Sequence, residues 1–221
     1  MIAVSAIGMM LFTTRPVGDA MATTIWGTSS SWTLTALPLF VWMGEILFRT
    51  KLSENLFKGL SPWLSKLPGG LIHVNVVGCG LFAAISGSSA ATVATVGKMS
   101  IPELRKRKYP EKILLGSLAG SGTLGLLIPP SIILIIYGVT IEDSIAKLFM
   151  AGIFPGIMLA IIFMLYVVIW SIINKKQMPK ISEEFSFIEK VKRSKQLLPV
   201  VLLICSVTVS YTHLRAHETL Q

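Results

Sequence analysis

The segment from Leu71 to Gly97 constrains the fold of this chain more than any other stretch. It is apolar over 27 residues, yet its middle carries the polar sequence Ser86-Gly87-Ser88-Ser89. As a single helix it would be about 40 Å long. Backbone and hydroxyl groups without partners are costly in hydrocarbon, so non-helical chain at membrane depth needs cover from protein or from a water-filled cavity. The segment therefore has to follow a path along which protein or water surrounds its polar middle.

The composition indicates an integral membrane protein. Of 221 residues, 52% are hydrophobic and only 14% are charged, whereas a soluble domain of this length needs far more surface charge. The net charge of +9 would suggest nucleic-acid binding in a soluble chain. Here the basic residues flank apolar blocks, so retention at the cytoplasmic face explains them, and no nucleic acid is expected as a partner.

The apolar blocks predict an all-α polytopic membrane protein, with about four membrane-crossing segments in addition to the segment at 69–97. The apolar runs 1–12 and 197–210 are shorter than the ~20 residues of a full crossing, so we interpret them as truncated. Residues 13–30 are polar and turn-rich, with Pro16 and Gly18 as expected breakers. Longer spans are predicted at 31–48, 113–139 and 148–172.

Positive charge is concentrated in three loops between these blocks. Seventeen of the 20 basic residues lie there: four in 49–68, six in 98–112 and seven in 173–196. Since basic loops are retained in the cytoplasm, all three should share that side of the membrane. We interpret the last of them as an amphipathic linker on the anionic leaflet.

This shared side decides the path of the segment 69–97. An ordinary single span would place the basic loop 98–112 outside, whereas two full crossings do not fit into the 27 residues from 71 to 97. A re-entrant hairpin of two short helices, with its turn at Ser86–Ala90, satisfies both constraints. The alternative is close packing of small residues between helices, which Ser, Gly and Ala also permit.

A hairpin tip of this sequence can bind an ion. The last carbonyl groups of the first arm and the first N–H groups of the second arm lack helical partners. Carbonyl oxygens at a helix C-terminus suit Na⁺, and the N-terminus of the next arm suits a carboxylate. The hydroxyl groups of Ser86, Ser88 and Ser89 can cap these groups or coordinate the cation. Gly87 permits the tight turn and a close approach by the ligand.

The span 113–139 offers a second interruption. Gly120, Ser121, Gly122 and Thr123 precede Pro129-Pro130, and each proline lacks an N–H group, which frees carbonyl groups one turn earlier. A discontinuous helix facing the hairpin tip would supply the other half of an ion and substrate site at the midplane, with the Thr123 oxygens among the Na⁺ ligands. The alternative is a simple proline kink.

Three sequence blocks resemble the large membrane subunit of the TRAP (tripartite ATP-independent periplasmic) transporters. They are "ALPLFVWMGEILFRTKLSENLF", "LFAAISGSSAATVATVGKMSIPEL" and "GSLAGSGTLGLLIPPSIILIIYGV", and the resemblance covers about residues 16–208. It implies Na⁺-coupled symport of organic acids, of the C4-dicarboxylate or sugar-acid type, across the bacterial inner membrane, with no cofactor. It also implies a periplasmic substrate-binding protein and a small membrane subunit as partners.

The family's fold, as the resemblance implies it, has two inverted repeats in an elevator-type transporter, and this chain carries only the first repeat. We expect scaffold-type helices in 1–68, the first of them truncated. Residues 69–139 would be half of the transport domain, and 140–210 would hold a closing helix, the amphipathic linker and a truncated helix. Residues 211–221 match nothing in the family, and we interpret this tail as a foreign end.

Two other functions are compatible with parts of the sequence. One is a membrane fragment or scaffold that does not transport. The other is an intramembrane serine protease, with Ser121 in the sequence Ala119–Gly122 as nucleophile and His73 as base, which requires the two side chains to lie within hydrogen-bond reach. No enzymatic activity is predicted. Glu45, one helical turn before Arg49, is expected to be a solvated carboxylate at the membrane interface.

Overall fold

A computed structural model describes residues 2–12, 16–30, 36–50, 52–141, 143–179 and 186–216. Every regular element within these ranges is helical, which confirms the all-α prediction. The helices are α1 (Ile2–Phe12), α2 (Val17–Ser29), α3 (Ala36–Arg49), α4 (Leu52–Leu64), α5 (Ile72–Ser86), α6 (Ser89–Lys106), α7 (Glu111–Gly122), α8 (Leu124–Leu127), α9 (Ile132–Thr140), α10 (Ile145–Ile173), α11 (Phe187–Ser194) and α12 (Leu198–Ala216).

Two stretches are long and apolar enough to cross a bilayer. They are Glu111–Thr140, which comprises α7 to α9, and α10. Large apolar side chains of α10 face outward, and those of Met150 and Phe154 are 72% and 75% exposed. Such a surface is covered when hydrocarbon surrounds the helix, so the chain is a polytopic membrane protein, as predicted.

The segment 69–97 forms a helical hairpin of α5 and α6. Gly87 ends α5 in the left-handed region, with φ of 59°, and its N–H group donates to the Ala83 carbonyl. Ser88 is extended and caps α6, because its hydroxyl accepts from the Ala91 N–H at 3.5 Å. The arms run antiparallel, since a Cβ at Gly78 would lie 3.7 Å from Val96. The turn lies inside the predicted range.

The span 113–139 is discontinuous, as predicted. α7 ends at Gly122, and the single turn of α8 follows Thr123. At Ile128 the backbone becomes extended, with ψ of 121°, and it stays out of helix through Pro129 and Pro130. Ser131 is also extended and precedes α9. The chain thus supplies two helical pieces with an irregular joint between them.

The hairpin's first arm forms the centre of the core. Phe82, Ile72 and Val76 of α5 are fully buried. One apolar cluster joins α5 to α4, α6, α7 and α10 near the start of the arm, and a second joins it to α4, α6, α7 and α12 near the middle. Because helices surround α5 on several sides, its polar tip is held at a fixed place in the bundle.

Two of the predicted basic loops are wrong in their secondary structure. Most of 49–68 is the helix α4, which contains Pro62, and 98–112 begins with the last turns of α6, which runs through Pro102 to Lys106. Basic residues in the last turn of a helix are favourable because of the helix dipole. The concentration of basic residues therefore did not indicate a loop in either segment.

Two other helix ends differ from the sequence prediction. The turn-rich segment 13–30 contains α2, whose first residue follows Pro16. Proline is well tolerated at a helix start, where its missing N–H group has no helical partner to lose. The last apolar run was expected to stop at 210, but α12 continues to Ala216. Of the tail 211–221, residues 217–221 lie outside the described part.

Within the described part of the chain, four ion pairs each join residues one turn apart on a single helix. Glu45 contacts Arg49 at 2.9 Å on α3, and this pair is exposed, as expected for an interfacial carboxylate. The other three are Glu54 with Lys58 on α4, Glu103 with Arg107 at the end of α6, and Glu189 with Arg193 on α11. Pairs at this spacing support the helix that carries them.

The linker at 173–196 holds the amphipathic helix α11, which docks on α4 through Trp63. The Trp63 indole N–H donates to the Ser194 hydroxyl at 2.8 Å. The Phe187 ring meets the indole edge-on, with centroids 6.5 Å apart, and the Lys190 ammonium lies 5.6 Å from it. Ile188 remains 78% exposed, which suits a helix lying at a membrane surface.

Candidate ion and substrate site

The hairpin tip lies directly on the interruption between α8 and α9. The Gly87 carbonyl accepts a hydrogen bond from the Ile132 N–H at 3.2 Å. A Cβ at Gly87 would lie 2.8 Å from the Pro130 carbonyl oxygen. Only glycine combines this left-handed conformation with such a close approach of two backbones.

Gly122 and Gly125 of the broken helix form the surface on which the hairpin tip rests, here named the seat. A Cβ at Gly125 would lie 2.9 Å from the Ser89 nitrogen and 3.0 Å from the Ser88 carbonyl carbon. A Cβ at Gly122 would lie 2.0 Å from a methyl group of Val93. Because most of these neighbours are backbone atoms, which cannot rotate away, the contact between tip and seat is specified by the absence of side chains.

The hydroxyl groups at the tip form a small buried network. The Ser86 and Thr92 hydroxyl oxygens are 2.9 Å apart, and both residues are almost fully buried. The Thr92 hydroxyl donates to the Ser88 carbonyl at 2.7 Å. Sequence reasoning missed Thr92, although its place four residues after Ser88 on the new helix is typical of such a bond.

The predicted ligand residues do not all face the tip. Ser86, Gly87, Ser88 and Ser89 form it, and Ser89 is half-buried at the start of α6. Thr123 is exposed, and its hydroxyl donates to the Gly120 carbonyl at 2.7 Å. Its backbone is nevertheless next to the seat, since it lies between Gly122 and Gly125.

Ser121 and Gly120 face other helices. The Ser121 hydroxyl donates to the Ser117 carbonyl at 2.6 Å and approaches the Asn75 carbonyl of α5 at 3.4 Å. Gly120 packs against the Phe163 ring of α10. These two residues lie in the helix that carries the seat, on the sides turned away from the hairpin tip.

The interruption itself is held by Ser131. This residue is fully buried, and its hydroxyl donates to the Leu126 carbonyl at 2.8 Å. Pro129 and Pro130 lie between the two, so the hydroxyl closes the irregular loop. Around the tip, α5 and α8 end and α6 and α9 begin. Helix ends that offer carbonyl groups suit a cation, and helix beginnings that offer N–H groups suit an anion.

Asn75 forms a second polar feature between α5 and α7, which sequence reasoning missed. Its side-chain nitrogen donates to the Ser117 hydroxyl at 3.0 Å, and its side-chain oxygen has no partner among the described residues. A lone asparagine within an apolar run was the available signal, because buried amides in membrane helices bond to neighbouring helices.

His73 and Ser121 do not form a catalytic pair. The His73 Nε2 atom lies 2.7 Å from the Pro68 carbonyl oxygen at the start of α5, while the Ser121 hydroxyl is bonded within its own helix. Within the described ranges, no three His, Cys, Asp or Glu side chains cluster as a metal site would require. A cation at the tip would therefore have to bind to carbonyl and hydroxyl oxygens.

Comparison with known proteins gives a consistent result. The sequence model of the family described as "Tripartite ATP-independent periplasmic transporter, DctM component" matches residues 1–218. The chain is 37% identical over 174 residues to the C4-dicarboxylate TRAP transporter large permease protein DctM of Pseudomonas aeruginosa. It is 31% identical over 202 residues to the sialic acid TRAP transporter large permease protein SiaM of Vibrio cholerae.

A third relative is the ectoine TRAP transporter large permease protein TeaC of Halomonas elongata, at 37% identity over 141 residues. The alignments cover 79%, 90% and 64% of this chain, in the order given. They cover only 40%, 47% and 33% of the relatives. The chain thus spans less than half the length of these curated relatives.

Proposed function

Because the chain belongs to the family of DctM components of tripartite ATP-independent periplasmic transporters, we propose that it forms part of a Na⁺-coupled secondary transporter for organic acids. Its relatives are named as transporter permeases, so the chain is not an enzyme. The intramembrane protease hypothesis also lacks its catalytic pair, as the contacts of His73 and Ser121 show.

The observation that carries this proposal is the contact between the hairpin tip and the broken helix. Two interruptions that are about 40 residues apart in sequence meet through backbone atoms at Gly87, Gly125 and Ile132. Paired interruptions of this kind form ion and substrate sites in secondary transporters. Both segments were selected from the sequence for their polar and proline residues, so their meeting supports a common role.

The hairpin is proposed to enter and leave the bilayer from the cytoplasm. The turn at Gly87–Ser88 returns the chain antiparallel, so that Lys106 at the end of α6 lies near the start of α5. The segments 49–68, 98–112 and 173–196 then share the cytoplasmic face of the bacterial inner membrane, as the positive-inside rule requires.

Na⁺ is proposed to bind to backbone and hydroxyl oxygens of Ser86, Ser88, Ser89 and Thr123. The Thr123 side chain is exposed and its hydroxyl already donates to the Gly120 carbonyl, so we assign the ligand role at Thr123 to its backbone carbonyl. The carboxylate of the substrate would approach the N-termini of α6 and α9. Bound Na⁺ would order the tip and favour the substrate-loaded movement of alternating access.

Substrate and partners follow from the family and are proposed at the level of class. The named relatives carry C4-dicarboxylates, sialic acid or ectoine. For this chain we propose an organic acid of the C4-dicarboxylate or sugar-acid type, because its site offers two helix N-termini. The tripartite, periplasmic family description supports a small membrane subunit and a periplasmic substrate-binding protein as partners.

The test is Na⁺-dependent uptake by a full-length permease that carries these residues, expressed with its two partners. Ser86→Ala and Ser88→Ala each remove one oxygen from the tip, and we expect about a ten-fold higher Na⁺ concentration for half-maximal uptake. Ser100→Ala is the matched control. Ser100 is a buried serine of α6, about 18 Å along that helix from Ser88 and so away from the tip.

Two results would contradict the proposal. Unchanged Na⁺ dependence in both tip variants would remove the tip from the ion site. The absence of any Na⁺-dependent uptake by the unmodified permease, with both partners present in the membrane fraction, would instead favour a scaffold without transport.

A further inference from the structure

A pocket of about 490 Å³ lies at the opposite end of the hairpin from the tip. It is formed where the chain passes from α4 into α5, together with the end of α10. The tip is about 22 Å away along α5, so this pocket is separate from the proposed ion site. Its lining includes Lys66, Gly69, Gly70, Tyr109, Ser171 and Lys175.

A tight joint of two glycines shapes one wall of the pocket. Gly69 and Gly70 have φ of +105° and +55°, which other residues rarely adopt. A Cβ at Gly69 would lie 2.6 Å from Val167 of α10 and 3.0 Å from the His73 ring. The next residue, Leu71, donates its N–H to the Tyr109 hydroxyl at 3.2 Å. The joint is thus packed firmly against two other parts of the chain.

Two lysines bring positive charge to this wall from distant parts of the sequence. Lys66 precedes the glycine joint and Lys175 follows α10; both are exposed and line the same pocket. The five glutamates that the structure describes pair with other residues, namely Arg49, Lys58, Arg107, Arg105 and Arg193. No described glutamate therefore neutralises the two lysines.

Polar donors and apolar surface meet at this pocket. Ser171 and the Tyr109 phenol contribute hydroxyl groups, and burial raises the pKa of Tyr109, so its phenol stays protonated near neutral pH. Ile172 in the lining and the neighbouring Ile173 are 50% and 74% exposed. A soluble anion would satisfy only the polar part, whereas a phospholipid offers a phosphate and acyl chains together.

A neighbouring cleft along α10 is lined by residues typical of a membrane interface. A second cleft of about 550 Å³ lies between α7 and α10 and is lined by Phe163, Tyr166 and Trp170, with Lys112 at its boundary. Aromatic residues of this type concentrate at headgroup level. Trp170 immediately precedes Ser171, so the lysine pocket lies at the same depth.

We propose that the pocket between Lys66 and Lys175 binds the phosphate headgroup of an anionic phospholipid from the cytoplasmic leaflet. Basic pockets at helix ends on this side of a membrane recognise such headgroups. The bound lipid would link the glycine joint before α5 to the end of α10. The inference rests on the proposed cytoplasmic placement of these segments, and it is independent of Na⁺ binding at the tip.

The test uses the 221-residue chain in detergent, with thermal unfolding followed by tryptophan fluorescence while lipid is added. Dioleoyl phosphatidylglycerol should raise the Tm at lower concentration than dioleoyl phosphatidylcholine. Lys66→Gln and Lys175→Gln should each weaken the apparent affinity for phosphatidylglycerol about 5-fold, and the double variant about 30-fold. Lys176→Gln is the matched control, because Lys176 is the exposed neighbour that does not line the pocket.

Three outcomes would overturn the inference. The first is an equal response to both lipids, and the second is an equal loss in the Lys176→Gln control. The third is a similar Tm increase from water-soluble glycerol phosphate, which would identify a site for a free phosphate anion. A normal response of the Ser86→Ala variant to phosphatidylglycerol, with altered Na⁺ dependence, would show that the two sites are separate.

Discussion

Single glycines decide how the hairpin tip meets the broken helix. At Gly125 a methyl group would collide with backbone atoms of Ser88 and Ser89, whereas at Gly116, on the same discontinuous helix, it would meet no atom within 4 Å. Backbone neighbours cannot move without shifting the tip. Glycine is therefore required at position 125 because a side chain does not fit there.

Gly125→Ala is expected to destabilise the protein by about 1–3 kcal/mol, the usual cost of overpacking. The Tm in detergent should fall. Gly116→Ala is the control, and it should leave the Tm unchanged or raise it, because alanine favours helix. Equal Tm values for the two variants would show that the tip does not rest on Gly125.

The tip residues Ser86 to Ser89 and the prolines at 129–130 could be found from the sequence, because polar or proline residues within an apolar run are locally visible. Thr92 also has a local signal, because it lies one turn after Ser88 and its hydroxyl donates to the Ser88 carbonyl. The role of Gly125 could not be found in this way, since a glycine beneath a distant backbone is recognised only from tertiary contacts.

At the scale of elements, apolar blocks were predicted well and surface helices poorly. α10 was predicted as a span at 148–172 and extends from Ile145 to Ile173. α4 was interpreted as a loop because it contains charged residues and Pro62. The structure shows that one side of this helix is apolar and packs on the hairpin. Hydropathy measures burial in lipid, so a helix half-covered by protein gives a weak signal.

Trp63 of α4 makes a hydrogen bond and two ring contacts with α11, which gives a prediction for the pair. Trp63→Ala removes the ring contacts with Phe187 and Lys190 and the hydrogen bond to Ser194. Tryptic cleavage after Lys192 in inverted membrane vesicles should become about ten-fold faster, since a docked helix resists local opening. Trp42→Ala, at an exposed tryptophan of α3, should leave the rate unchanged. Unaltered cleavage in the Trp63 variant would contradict the docking.

At the scale of the whole molecule, the charge distribution was the most informative property of the sequence. It led to the hairpin, because two basic segments had to share one side of the membrane. The positions of helices around α5, and the pocket at its start, could not be predicted, since they depend on packing between segments far apart in sequence.

The proposed orientation predicts a labelling pattern in intact cells. Lys58→Cys and Arg105→Cys, each in a Cys205→Ser background, should both be protected from a membrane-impermeant maleimide added outside. Both side chains are at least half exposed, so both cysteines should react in inverted vesicles, which serve as the control. Labelling of Arg105→Cys from outside while Lys58→Cys remains protected would exclude the re-entrant path.

The ion pairs within single helices have a mechanical consequence. Glu45–Arg49, Glu54–Lys58, Glu103–Arg107 and Glu189–Arg193 each travel with the helix that bears them. When one helix slides or tilts against another, none of these four pairs has to separate, and no charge is stranded in a medium of low polarity. These four pairs therefore do not restrain the movement of one helix against another, whereas the Arg105–Glu111 pair at 2.8 Å joins α6 to α7 and ties those two helices together.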